Sequence, residues 1–200
     1  MLVSSSNLNT LFIMLVESKN FNATFEKKGD VTRIFEADKT IGYNFANFAE
    51  LPNGPVFLNQ TQIDELNQKI TNAGFVDLLE VDKEVKFVIG KVIEIKPHPN
   101  SDHLNLVTVD LKTNQKQLVS GSPNMKTDIK VVVVQPGAIM PSGQVIFGGS
   151  LRGVESNGMI ASARELRLNN APDQPGALIL PDDFGEVGDP FDFEKGNQLL

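Results

Sequence analysis

Three stretches of this 200-residue chain carry side chains suited to chemistry. The first, "KPHPNSDHLNLVTVD" at 96–110, brings both histidines together with Asp102 and two prolines. His98, Asp102 and His103 are ligand types for zinc or iron. Residues 102 and 103 are adjacent, however, and in a strand they would point to opposite faces. No third histidine exists, so a polar turn fits the stretch better than a metal centre. The second stretch, "GSPNMKT" at 121–127, imitates a phosphate loop. It lacks the second glycine and the Gly-Lys-Ser/Thr ending, with Pro123 and Asn124 in its middle. The third is Ser156 in "VESNGM", which lacks the nucleophile-elbow pattern and a histidine evidently paired to it. The expectation is a protein that is not an enzyme, with no metal and no cofactor.

Charge points to binding instead. The net charge is −7, which argues against a phosphate-rich partner until its distribution is read. Residues 1–86 hold 8 Lys/Arg against 12 Asp/Glu, a net of −4, and residues 87–168 hold 9 against 6, a net of +3. Residues 169–200 hold 1 against 7, a net of −6. An acidic tail therefore hides a basic middle made of Lys91, Lys96, Lys112, Lys116, Lys126, Lys130, Arg152, Arg164 and Arg167. Dispersed lysines ordinarily decorate a solvated face. The middle also has only two aromatics, Phe87 and Phe147, so RNA bound there would be read by backbone and shape more than by stacked bases.

The elements that must position these groups fall into two sets. "NFNATFEKKGDVTRIFE" holds two alternating runs around Lys28-Gly29-Asp30, a hairpin pattern, and "TIGYNFANF" follows as a further extended run. Thr61, with Asp64 three residues on, is the expected start of a helix carrying Ile63, Leu66, Ile70 and Ala73, and Gly74 stands at its expected end. Nine of the 14 aromatics lie in this first segment, where they are expected to fill a small core. From 87 onward, short strands are expected at about 87–96, 104–111, 116–121, 129–135, 144–148 and 158–162, a small barrel or sandwich. "VVVV" at 131–134 has no alternation and reads as a strand buried on both faces. The expected fold class is an α+β N-terminal domain over 1–84, followed by an all-β barrel over 85–200 with an acidic C-terminal extension. There is no cysteine, and "LFIMLV" at 11–16 is too short to span a bilayer. No membrane contact is expected, and the cytoplasm is the default location.

"IGKVIEIKPHPNSDHLNLVTVD", "QLVSGSPNM", "KVVVVQPGAIMPSG" and "SLRGVESNGMIASARELRL", in that order, resemble the tRNA-binding domain of the oligonucleotide-binding (OB) fold. That module also occurs in phenylalanyl-tRNA synthetase β subunits, at the C-terminus of many methionyl-tRNA synthetases and in free-standing tRNA-binding proteins. The first segment, with "NGPVFLN" before its helix, resembles the domain that precedes the module in YtpR-type proteins.

The resemblance implies a non-catalytic protein that binds tRNA by its shape, with an aminoacyl-tRNA synthetase or another tRNA enzyme as a further partner. It implies an interface drawn from Lys91, Asn100, Ser101, His103, Arg152, Ser156, Met159, Ser162 and Arg164. Asn100 and Asp102 would fix the backbone of their own loop. Arg152 would meet phosphate and Ser156 would hydrogen-bond, whereas Met159 either covers the apolar rim or packs in the core. The family usually carries lysine where this chain has His103, exchanging a fixed charge for an imidazole. His98, between two prolines, suggests a structural role. Free-standing relatives are often dimers, which leaves a homodimer open here. The alternative function is a CsaA-like chaperone or protein-binding module, separable from tRNA binding by its weak dependence on salt.

Overall fold

The computed structural model describes residues 3–18, 22–48, 51, 54–56 and 58–200. Asn20 and Phe21 of the first hairpin motif, and Asn53 and Phe57 of "NGPVFLN", lie outside the described residues. The chain divides into two units, residues 1–84 and 85–200.

The first unit contains β1 (Val3–Asn7), β2 (Thr10–Met14), β3 (Thr24–Lys28), β4 (Val31–Glu36), β5 (Lys39–Phe45), β6 (Gly54–Pro55) and α1 (Gln60–Asn72). The strands form one sheet in the order β3-β4-β5-β2-β1-β6. Antiparallel register aligns Val31 with Phe45 and Leu11, and Arg33 with Tyr43 and Ile13, so these rows share a face. Leu11, Ile13, Val31, Tyr43 and Phe45 pack there against Ile63, Leu66 and Ile70 of α1. Not every aromatic joins this core: Phe12 and Phe25 are 42% and 74% exposed.

The helix begins at Gln60, one residue before the expected Thr61. Asn59 caps it, accepting from Gln62 N at 3.0 Å, while Gln62 Oε1 accepts from Asn59 N at 3.0 Å. This reciprocal pair satisfies two otherwise orphaned amides, which Thr61 cannot do from inside the first turn. At the other end, Gly74 (φ +75) and Phe75 donate to Thr71 O and Ile70 O, and the left-handed glycine stops the helix as expected. The α+β description of this unit is not confirmed. Among the described residues the chain is mostly β, with helix confined to the 13 residues of α1 and four residues near the C-terminus, because only one stretch carries a helical repeat of apolar residues.

One polar group in this core is poorly partnered. Tyr43 is fully buried, and its hydroxyl makes no well-formed hydrogen bond among the described residues, although the Thr40 side chain is close enough to act on it as a hydrogen-bonding group. Burial, and then the Asp77 carboxylate, hold this phenol above its ordinary value of 10.0, against smaller opposing effects of Thr40 and Arg33.

The second unit contains β7 (Phe87–Pro97), β8 (Asn105–Asp110), β9 (Gln115–Ser120), β10 (Lys130–Val134), β11 (Gly148–Leu151), β12 (Val154–Asn157), β13 (Met159–Ile160), β14 (Ile179–Leu180) and α2 (Phe193–Gly196). Five strands form a curled half-barrel in the order β13-β10-β7-β8-β9, and β14 also pairs with β10. A register shift between Val92 and Glu94 bends β7 and adds to the curl. Gly90 lets the sheet close over its interior, since a Cβ there would lie 2.5 Å from Val109 Cγ1 and 2.8 Å from Val133 Cγ2.

The valine run is buried on both faces, as expected. Val131 and Val133 pack inside the curl with Val92, Val107, Val109 and Leu118. Val132 and Val134 pack on the other side with Ile89, Leu178, Leu180, Phe184 and Phe191. The acidic tail therefore supplies a second core layer, because its apolar residues lie between the charges and face the sheet. The strand expected at 144–148 is a single bridge between Ile139 and Val145, and the hairpin β11–β12 follows it.

Candidate nucleic-acid interface

Pro and Asn enforce the turn after β7, and the two ring nitrogens of His98 organise it. His98 is 4% exposed. Its Nδ1 accepts from Asn100 N at 3.0 Å, so the ring proton sits on Nε2, which donates to Leu151 O at 3.1 Å. Ser101 Oγ accepts from His103 N at 3.3 Å. The loop's own backbone is thus tied by His98 and Ser101. Asn100 reaches elsewhere: its Nδ2 donates to Arg152 O at 3.1 Å, and its carbonyl accepts from Arg152 Nη1 at 3.4 Å. Asn100 and Asp102 were expected to bond within the loop. For Asn100 the longer reach wins because the hairpin tip presents a carbonyl that needs a donor.

That tip is a two-residue turn, Arg152-Gly153, between the paired residues Leu151 and Val154. Its φ values are +48 and +84, the type I′ geometry that matches the strand twist. Glycine adopts it freely, whereas arginine carries a steric cost there. The result is one surface made from two loops more than 50 residues apart in the chain, with Arg152 exposed at its edge.

The nine expected interface residues fall into three places. Asn100, Ser101, His103 and Arg152 belong to the two joined loops, and His103 is exposed. Ser156, Met159, Ser162 and Arg164 lie along the seam where β9 approaches β12 and β13. Met159 packs against the core while staying half-buried. Lys91 is not brought to either place. It lies six residues up β7 from Pro97, roughly 20 Å along the strand, and pairs with Asp128 at 3.1 Å.

At the seam, structural bonds occupy most polar groups. Ser156 Oγ accepts from Val119 N and donates to Gly158 O. Ser162 Oγ donates to Glu165 and accepts from Glu165 N, while Ser162 N donates to the same carboxylate. That is a capping box on a single turn, spelled Ser-x-x-Glu in the sequence. Arg164 Nη1 pairs with Asp173 at 2.9 Å, with both side chains largely exposed. A cavity of about 290 Å³ opens beside Ser162 and Arg164, walled by Val119–Ser122 and Met159. The phosphate-loop mimic forms part of this wall, and Asn124 ties it down by bonding both Ala177 N and Ala177 O at 2.9 Å.

Several cations of the basic middle are engaged within the protein, by a carboxylate or by neutral carbonyl oxygens. Lys96 pairs with Glu94 at 2.8 Å, Lys130 donates to Asp182 O and Gly185 O, and Lys116 donates to Gln135. Among the described residues no three His, Cys, Asp or Glu side chains gather as metal ligands. Nor is any helix there long and apolar enough to cross a membrane. The residue that sequence reasoning placed outside the interface is His98, whose partner on the hairpin has no local signal.

Known proteins resemble the chain in sequence. Residues 87–190 match the family described as "Putative tRNA binding domain", and residues 18–82 match a domain of unknown function. The chain is 41% identical over 191 residues to the "Putative tRNA-binding protein YtpR" of Bacillus subtilis (strain 168), covering 92% of this chain and 94% of that one. It is also 41% identical over 128 residues to the phenylalanine–tRNA ligase β subunit of Rhodospirillum rubrum. That match covers 62% of this chain but 16% of the longer relative.

Proposed function

The chain belongs to the tRNA-binding-domain family of YtpR-type proteins, and on that premise we propose that it binds tRNA by shape and backbone through its second unit, with no chemistry of its own. The observation that carries this reading is the joining of the β7–β8 turn to the β11–β12 hairpin, which presents Arg152 beside Asn100. The curled sheet is an OB-type barrel in this reading. Such barrels use the face of their second and third strands, here β8 and β9, together with the loops flanking it. A positive excess confined to 87–168 favours phosphate as the contact, and the shortage of aromatics there favours recognition of folded RNA over stacked bases. Presentation of tRNA to a synthetase or another tRNA enzyme belongs to the same proposal. So does a homodimer that doubles the surface.

The test is filter binding of tRNA by the full chain and by residues 85–200 across a salt series. The isolated unit, which has its own core, should keep most of the affinity, and both proteins should lose binding steeply as salt rises. Equal loss on deleting either unit, with both pieces folded, would place the interface elsewhere. Binding indifferent to salt, together with capture of apolar peptides, would favour the chaperone-like alternative.

A further inference from the structure

We infer that His98 is a positioning residue for the RNA interface, acting through the backbone of Arg152. The inference rests on the reading of Arg152 as a phosphate contact. Two peptide planes flank the Arg152 Cα, one ending in Leu151 O and the other in Arg152 O. His98 Nε2 holds the first at 3.1 Å, and Asn100 Nδ2 holds the second at 3.1 Å. His98 also holds Asn100 itself, whose backbone N–H donates to Nδ1 at 3.0 Å. Both dihedrals of Arg152 are therefore governed from the opposite loop.

Such control has something to oppose. Arg152 sits at φ +48, a region that non-glycine residues avoid. β11 and β12 pair in the sheet ladder only with each other, and β12 is tied to β9 by the Ser156 and Gln117 side chains without a ladder, so the tip leans on whatever further restraints it has. Without His98 the tip has fewer restraints, and the guanidinium would sample many directions at an entropic cost to binding. With both ring nitrogens engaged in a buried site, the imidazole is spent on geometry and is not free to contact RNA.

A double-mutant cycle on the full chain tests this. Fluorescence anisotropy with unfractionated tRNA, at several salt concentrations, is measured for wild type, His98→Ala, Arg152→Ala and the double variant. His98→Ala should weaken binding and lower the salt slope as Arg152→Ala does, and the double variant should bind no more weakly than Arg152→Ala alone. His98→Gln, whose amide nitrogen can occupy the Nε2 position, should restore much of the affinity, and it serves as the test if His98→Ala does not fold. Losses that multiply in the double variant would overturn the inference, as would a His98→Gln variant that folds stably yet binds no better than Arg152→Ala. If Arg152→Ala itself binds tRNA as wild type does, the interface reading fails first.

Discussion

Ser156 Oγ accepts the backbone N–H of Val119 at 3.0 Å and donates to Gly158 O at 3.1 Å. A side chain thereby joins the edge of β9 to the strand region opposite, where no backbone ladder is formed. Val119 is 8% exposed, so its amide has little recourse to water. Ser156→Ala should therefore destabilise the second unit by about 1–3 kcal/mol, the cost of an unsatisfied buried donor. Urea denaturation measures this. The salt slope of tRNA binding should stay unchanged in the same variant, and a reduced slope would return Ser156 to the RNA surface.

Arg152 predicts a trade between stability and binding. Asparagine tolerates the left-handed region that Arg152 occupies, so Arg152→Asn should raise stability by about 1 kcal/mol. The same change should weaken binding to different tRNAs by similar factors, and the salt slope should fall by roughly one. Loss confined to one tRNA species would mean that Arg152 reads bases.

His103 lies exposed on the turn that His98 and Ser101 hold. His103→Lys places a permanent charge there without disturbing the Ser101 bond, which uses the backbone amide. Affinity for tRNA at pH 8 should rise, and the salt slope should steepen by roughly one. An unchanged affinity would mean that this side of the turn faces away from RNA.

Tyr43 gives a prediction for the first unit. Its phenol is raised in the folded state, so the neutral form is favoured by folding. That stability is fully present below the unfolded value of about 10 and is lost as pH rises through the higher folded value. Wild type should therefore weaken in urea at pH 10.5 relative to pH 7, and Tyr43→Phe should weaken less. At pH 7, Tyr43→Phe should be as stable as wild type or slightly more so, because the deleted hydroxyl makes no well-formed hydrogen bond. A loss above about 1 kcal/mol at pH 7 would show that the hydroxyl is satisfied after all.

Local pattern carried much of the fold into the sequence. The hairpin at Lys28-Gly29-Asp30, the helix stop at Gly74 and the doubly buried 131–134 run follow from turn chemistry and side-chain period, which act over a few residues. The helix start needed the Asn59–Gln62 pair, a signal present in the sequence but rivalled by Thr61. The hairpin at 148–157 was hidden because its strands are short, β11 exposed and β12 mostly half-buried, with no apolar alternation. The tail's apolar residues could be seen, but not the sheet face awaiting them. For the site, residue types and motif order pointed to the right segments, while the division of labour within them did not follow. Whether a serine or histidine meets RNA or spends its hydrogen bonds inside the protein depends on partners 37 to 53 residues away, as for Ser156 with Val119 and His98 with Leu151. Side-chain hydrogen bonds act only within about 3 Å, and chain segments that distant in sequence reach that range only once the sheet has curled and its two loops have met.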